Sequence, residues 1–314
     1  MIKLSFLTLI RIATLMAACV LVGCGGASST VDPLVPTRVI AFGDAFSTVN
    51  SSGYATYSVN TSETNATIAS RIATIYGFTL KAVASSSDVI ASGTAYSYAS
   101  GTATSSATAT QISNYLANNT PGSKDLFIIT AGTQDIISAA PTNNTTAIAT
   151  AATALTSAIQ TLTNAGAQYV VVMQPINVAR TPPFLALNGV RPAGTNASYN
   201  SYAQALSYDS GTACQSFSCL LSTKLNTAYP ATTSHQPILL VDLLSYFNLI
   251  TGTTNTGSAN TFSSYGVANP DLVVCSTAVP NCTTATLAAT STNQYTSTSW
   301  DYTTSNFAYS YYTT

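Results

Sequence analysis

A chain of 314 residues with a formal net charge of -1 is long enough to bury a full core, and it offers no basic excess to phosphates, which need clustered Lys and Arg. Nucleic-acid binding is therefore not expected. Only 6% of the residues are charged, so solubility must come from hydroxyls and amides, a composition that suits an exported protein.

At the N-terminus, Lys3 and Arg11 precede an apolar run over residues 12–22 that is too short for a comfortable membrane span and reads as a secretory signal. The run ends in Leu21-Val22-Gly23-Cys24, which resembles the lipobox of bacterial lipoproteins. The resemblance implies cleavage before Cys24 and a lipid on its thiol, so the membrane becomes a partner through an anchor at Cys24. Gly25 follows, in place of the aspartate that usually retains such lipoproteins in the inner membrane. The expected address is outside the cytoplasm, at the outer membrane, on its periplasmic face or the cell surface. Residues 1–23 are then the signal, and residues 24–36, rich in Gly, Ser, Thr and Pro, a flexible tether. Residues 37–314 are expected to form a single domain, since no second long apolar segment suggests another crossing.

Within that span, residues 38–42, 126–130, 169–173 and 238–241 are short, apolar and rich in β-branched side chains, and each predicts a buried strand. Residues 67–76 predict a helix with Ile68, Ile72 and Ile75 on one side and Gly77 after it, and a second helix is expected around 110–116. A longer one spans 147–164, where Ile148, Ala152, Leu155, Ile159 and Leu162 recur at helical spacing and Gly166 closes the segment. Strands alternating with helices predict an α/β fold, a mostly parallel sheet between two helical layers.

Of the six cysteines, Cys19 leaves with the signal and Cys24 takes lipid, which leaves Cys214, Cys219, Cys275 and Cys282 for two disulfides. Spacing favours the local pairs Cys214–Cys219 and Cys275–Cys282, although four cysteines allow three connectivities. No metal is expected, because neither pair has the short spacing and further ligands of structural zinc, and His235 is the only histidine. No cofactor is expected either.

Chemistry in a parallel sheet collects at the carboxyl ends of its strands. After the first strand stands Gly43-Asp44-Ala45-Phe46-Ser47, and after the second Ala131-Gly132-Thr133-Gln134-Asp135. Between them lies Tyr98-Ala99-Ser100-Gly101-Thr102-Ala103; residues 165–175 and Arg180-Thr181-Pro182 follow, and near the C-terminus comes Trp300-Asp301-Tyr302-Thr303-Thr304-Ser305. In this order the segments resemble the blocks of the SGNH or GDSL hydrolase family, over nearly the whole mature chain. The resemblance implies a flavodoxin-like three-layer fold and an ester-hydrolysing site of serine, histidine, aspartate and oxyanion hole.

That site is incomplete here. Ala45 stands at the nucleophile position, Thr304 at the position of the histidine, and Gln134 at the oxyanion asparagine, while Gly101, Asp44 and Asp301 fit the family pattern. A methyl group has no lone pair to attack with, and a threonine hydroxyl is no base near neutral pH. The expectation is an exported lipoprotein that is catalytically silent, with vestigial positions Ala45, Gly101, Gln134, Asp301 and Thr304, and a cleft for an acylated or glycan ligand. The open alternative is an active carboxylic-ester hydrolase working through another serine. Ser47 is the nearest candidate, and it reads instead as a turn serine bonding its own backbone. His235, just before a strand, falls at the amino end of the sheet, away from the expected site. Asp44 and Asp135 read as acceptors for loop amides. The aromatic C-terminus, with Tyr295, Trp300, Tyr302, Phe307, Tyr309, Tyr311 and Tyr312, reads as half-buried packing, with a glycan or lipid surface as the sharper alternative.

Overall fold

The computed structural model describes residues 33–57, 66–181, 184, 197–209, 213–231 and 236–251. Contacts divide the chain into a short unit, Met1–Val35, and a large one, Pro36–Thr314, which carries the fold. Its strands are β1 (Val39–Gly43), β2 (Leu80–Ala82), β3 (Ala95–Ser97), β4 (Leu126–Thr130), β5 (Tyr169–Met173) and β6 (Ile238–Val241). They form one sheet in the order β2-β3-β1-β4-β5-β6, and every pairing is parallel. The described helices are α1 (Ile68–Ile75), α2 (Ser105–Asn118), α3 (Thr133–Ala139), α4 (Thr145–Asn164), α5 (Ala197–Ser207), α6 (Phe217–Ala228) and α7 (Leu243–Thr251). The result is the three-layer α/β/α architecture that the alternating pattern predicts. Among the described residues no helix is long and apolar enough to cross a membrane.

β1 and β4 are buried at every position, because a central parallel strand has a helical layer on each face and no polar side to show. The edge strand β2 instead turns Lys81 to solvent, a charge that discourages further strand pairing. Helix α4 buries Ile148, Ala152, Leu155, Ile159 and Leu162, as its spacing predicts. Asn144 caps its start by accepting from the Ala147 N–H, and Gly166, at φ 114°, turns the chain out of its end. On its solvent side, Thr150, Thr153 and Thr161 donate to carbonyls four residues back. In a chain with so few charges, these hydroxyls serve the backbone while still facing water. α4 packs between α2 and α6.

Helix α1 corrects the expected face. Ala69, Ser70 and Ala73 are its buried residues, whereas Ile75 is 78% exposed. Small side chains bring the start of the helix close to the β1 loop, where the Ala69 N–H donates to the Phe46 carbonyl. α2 begins five residues earlier than its apolar pattern suggests. Its start is fixed by polar caps: Thr104 accepts from the Ala107 N–H, and Asp135 from both the N–H and the hydroxyl of Ser105, each at 2.8 Å. Phe42, Tyr98, Tyr115 and Phe127 pack ring against ring at 5.6–6.4 Å between centroids, joining β1 and β4 to α2 and the segment after β3.

Candidate functional site

The strand order reverses at β1, which has β3 on one side and β4 on the other. Ligands of open α/β sheets collect outside the carboxyl ends of strands at such a switch point. Three segments leave the sheet there: residues 44–47 after β1, 98–101 after β3 and 131–135 after β4. They are tied together. The Asp44 N–H donates to the Thr130 carbonyl at 2.9 Å, and the Ser100 N–H to the Gly43 carbonyl at 3.0 Å. Ala45, Gly101 and Gln134 therefore come from the ends of three neighbouring strands, as the block order implies.

The turn into Ala45 depends on Gly43, which sits at φ 119°. A β-carbon there would fall 1.6 Å from the Thr130 carbonyl oxygen, so no side chain fits without parting β1 from β4. The side-chain amide of Gln111 clamps this residue, accepting from its N–H at 2.6 Å and donating to its carbonyl at 3.1 Å. Beyond the turn, Ala45 is 4% exposed. Gly101 is also buried, with the Tyr57 ring packed directly on it; a β-carbon at 101 would lie 1.7 Å from Tyr57 Cζ. Gln134 is half-buried in the first turn of α3, just after Gly132 at φ 108°.

Ser47 is fully buried. Its hydroxyl shares a 2.9 Å hydrogen bond with the Thr130 hydroxyl, and its carbonyl accepts from the Ser97 hydroxyl at 2.7 Å. The side chain thus bonds across the sheet and not to its own turn, a partner 83 positions away that local reading cannot supply. Asp44 and Asp135 do accept loop amides, from Phe46 at 3.1 Å and Ser105 at 2.8 Å. Burial pushes the Asp135 carboxyl up, against the two bonds from Ser105. Cys214 and Cys219 form the expected local disulfide. Cys24, Cys275, Cys282, His235, Asp301, Thr304 and the aromatic C-terminus lie outside the described residues.

Asp44 is 1% exposed, and burial pushes its carboxyl up to about 7, against the Phe46 N–H and the nearby hydroxyls of Thr130 and Thr133. Its Oδ2 has no hydrogen-bond partner among the described residues. An acid whose pKa is higher folded than unfolded holds more protons in the native state, so stability falls as pH rises from about 4 to about 7 and then levels off. Asp44→Asn keeps the acceptor and removes the titration. The variant is expected to gain stability over wild type at pH 8 by up to about 4 kcal/mol, and by much less at pH 4.5. Urea unfolding at both values tests this; parallel pH profiles for the two proteins would disprove it.

The GDSL-like lipase/acylhydrolase model matches residues 39–235, more than half of the chain and every strand from β1 to β5. No curated protein matches the chain. The matched residues include Ala45, Gly101 and Gln134 and stop short of Asp301 and Thr304. With the fold, the switch-point loops and this match in agreement, the chain belongs to the GDSL-like lipase/acylhydrolase family.

Proposed function

We propose that this family member is a catalytically silent lipoprotein, anchored through Cys24 at the outer membrane, that uses the esterase-like fold to bind an acylated or glycan ligand. The family hydrolyses esters, and that chemistry needs a nucleophile and a base. The observation that carries the reading is Ala45 at the end of β1, where the family's serine belongs, on a turn whose only hydroxyl neighbour in the block, Ser47, is buried and bonded to Thr130. A turn serine buried against β4 is poorly placed to meet a substrate, and its hydroxyl's described partner is the Thr130 hydroxyl, which is no base. Thr304 at the histidine position supports the same reading from the sequence.

Wild-type protein, purified free of esterase, is expected to leave p-nitrophenyl acetate and butyrate at the rate of an unfolded control and to resist a fluorophosphonate probe. Stoichiometric labelling at any serine would overturn the silent reading and make the chain an active carboxylic-ester hydrolase. The anchor is tested separately. Metabolic labelling with a fatty-acid analogue should mark wild type and lose the mark in Cys24→Ser.

A further inference from the structure

Helix α1 turns its bulkiest side chains to solvent. At about 3.6 residues per turn, Ala69, Ser70 and Ala73 share one side and are buried, whereas Arg71, Ile75, Ile68, Ile72 and Tyr76 succeed one another around the other side. Ile75 is 78% exposed and Tyr76 39%, and Ile68 and Ile72 are half-buried. One exposed apolar residue is ordinary, but three isoleucines at positions i, i+4 and i+7 form a continuous stripe, the pattern that a helix normally buries.

Buried contacts keep the helix from rolling over. Thr67, 2% exposed, accepts from the Ser70 N–H at 3.1 Å through its hydroxyl and from the Ser70 hydroxyl at 3.0 Å through its carbonyl, and the Ala69 N–H donates to the Phe46 carbonyl at 3.3 Å. Turning the isoleucines inward would break all three bonds and drive bulky side chains into the space that Ala69, Ser70 and Ala73 now fill. The outward stripe is a fixed feature of the fold.

Where the chain enters the sheet points to the surface that this stripe meets. β1, β3 and β2 are neighbours and parallel, so the end of α1, which feeds β2, stands at the same end of the sheet as Pro36, where the chain enters β1. Two strand spacings separate β1 from β2, about 10 Å. Residues 24–36, the expected tether, span at most about 45 Å when extended, so an anchor at Cys24 leaves α1 within reach of the bilayer. Charge agrees with this. Residues 66–87 contain Arg71 and Lys81 and no Asp or Glu, so anionic headgroups attract the segment. An apolar stripe with an arginine on one border and a tyrosine on the other is the composition of a helix that lies in the membrane interface.

From these observations we propose that α1 is a docking face for an anionic phospholipid bilayer. Ile75 enters the headgroup region first, backed by Ile72 and Ile68, with Tyr76 at headgroup level and Arg71 on a lipid phosphate. The inference rests on the lipoprotein reading above and adds an orientation to it: the lipid at Cys24 holds the domain near the membrane, and α1 fixes which side lies against it.

The test uses the mature chain, residues 24–314, carrying Cys24→Ser so that α1 acts without the lipid, in flotation with vesicles of phosphatidylethanolamine and phosphatidylglycerol. Binding is expected at millimolar lipid, with less on phosphatidylcholine vesicles and at high salt. Ile75→Ser should weaken it about tenfold and Arg71→Ala about fivefold, whereas Leu239→Ser, at a 61% exposed position on the opposite edge strand β6, should leave it unchanged. Absence of flotation would overturn the proposal, as would equal binding to phosphatidylcholine, flotation that ignores Ile75→Ser, or flotation that Leu239→Ser weakens as much. A melting temperature lowered by Ile75→Ser would overturn it by showing the stripe packed against another part of the chain, and a dimer that this variant dissociates, by showing a second copy on it. The fatty-acid labelling described above decides the anchor independently. Labelling without flotation removes the docking face alone, and flotation without labelling removes the anchor alone.

Discussion

Ester turnover is expected from Ala45→Ser combined with Thr304→His, and from neither change alone. A serine without a base is a weak nucleophile at neutral pH, and a histidine without a nucleophile has only water to activate. Removal of the serine or the histidine alone costs about 10⁶ in a well-studied protease, about as much as removing the whole triad, so the effect of restoring them lies in the pair. The double variant should hydrolyse p-nitrophenyl acetate at least about 100-fold faster than either single variant, the lower end of what a positioned general base contributes. Two features favour success. Position 45 already sits on the turn that Gly43 and Gln111 hold, and Gly101 and Gln134 leave neighbouring strand ends beside it. Tyr57 on Gly101 and the extra methylene of Gln134 work against it, so Tyr57→Ala and Gln134→Asn are the next changes to add. A double variant that folds as wild type but stays at background, with those additions included, would place the base elsewhere than Thr304.

Arg38→Ala is expected to cost about 3–5 kcal/mol of stability, because it strands a buried carboxylate. At the amino end of the sheet, opposite Ala45, Arg38 forms the one ion pair among the described residues, with Asp125, whose side chain is 1% exposed. The guanidinium also donates to the carbonyls of Ile90 at 3.0 Å and Thr120 at 2.7 Å. Asp125 in turn accepts from the Thr37 hydroxyl at 2.8 Å and the Gly122 N–H at 2.6 Å. One side chain thus fastens the entries to β1 and β4 and two loops. Arg38→Lys keeps the charge but not the fork that reaches several acceptors at once, so its cost should fall between wild type and alanine. Replacing both partners should cost clearly less than the two single losses added together, because no lone charge is then left buried. Additive losses in urea unfolding would show that the pair does not act as a unit.

Much of this fold is legible in the sequence, for a definite reason. Buried parallel strands have no solvent face, so β1, β4 and β5 appear as continuous apolar runs. β6 reads the same way in the sequence but is the far edge strand, with no fully buried position and Leu239 61% exposed, which corrects the expectation of a buried strand there. β2 and β3 are three residues each and include Lys81 and Ser97, too short and too polar to register. α5, α6 and α7 escape because hydroxyl and amide residues interrupt their apolar spacing, and α2 shows only its last turns because its start is defined by Thr104 and a distant Asp135. Position 45 could be found because blocks of residues keep their order along the chain. What Ser47 bonds could not be found, nor could the pairing of Arg38 with Asp125, since both are contacts across more than 80 positions.

The demands on Gly43 have a different origin from the demands on its neighbour. A side chain at 43 would collide with the main chain of β4, whatever the protein does for a living, whereas residue 45 matters to folding only as a small group at the end of a turn. The requirements of a sound sheet therefore hold the frame of the site in place whether or not residue 45 carries a nucleophile. In that sense the loop after β1 is scaffold before it is site: its shape is set by the approach of β4 and by the Gln111 clamp, and a methyl exchanged for a hydroxymethyl would find the turn unchanged.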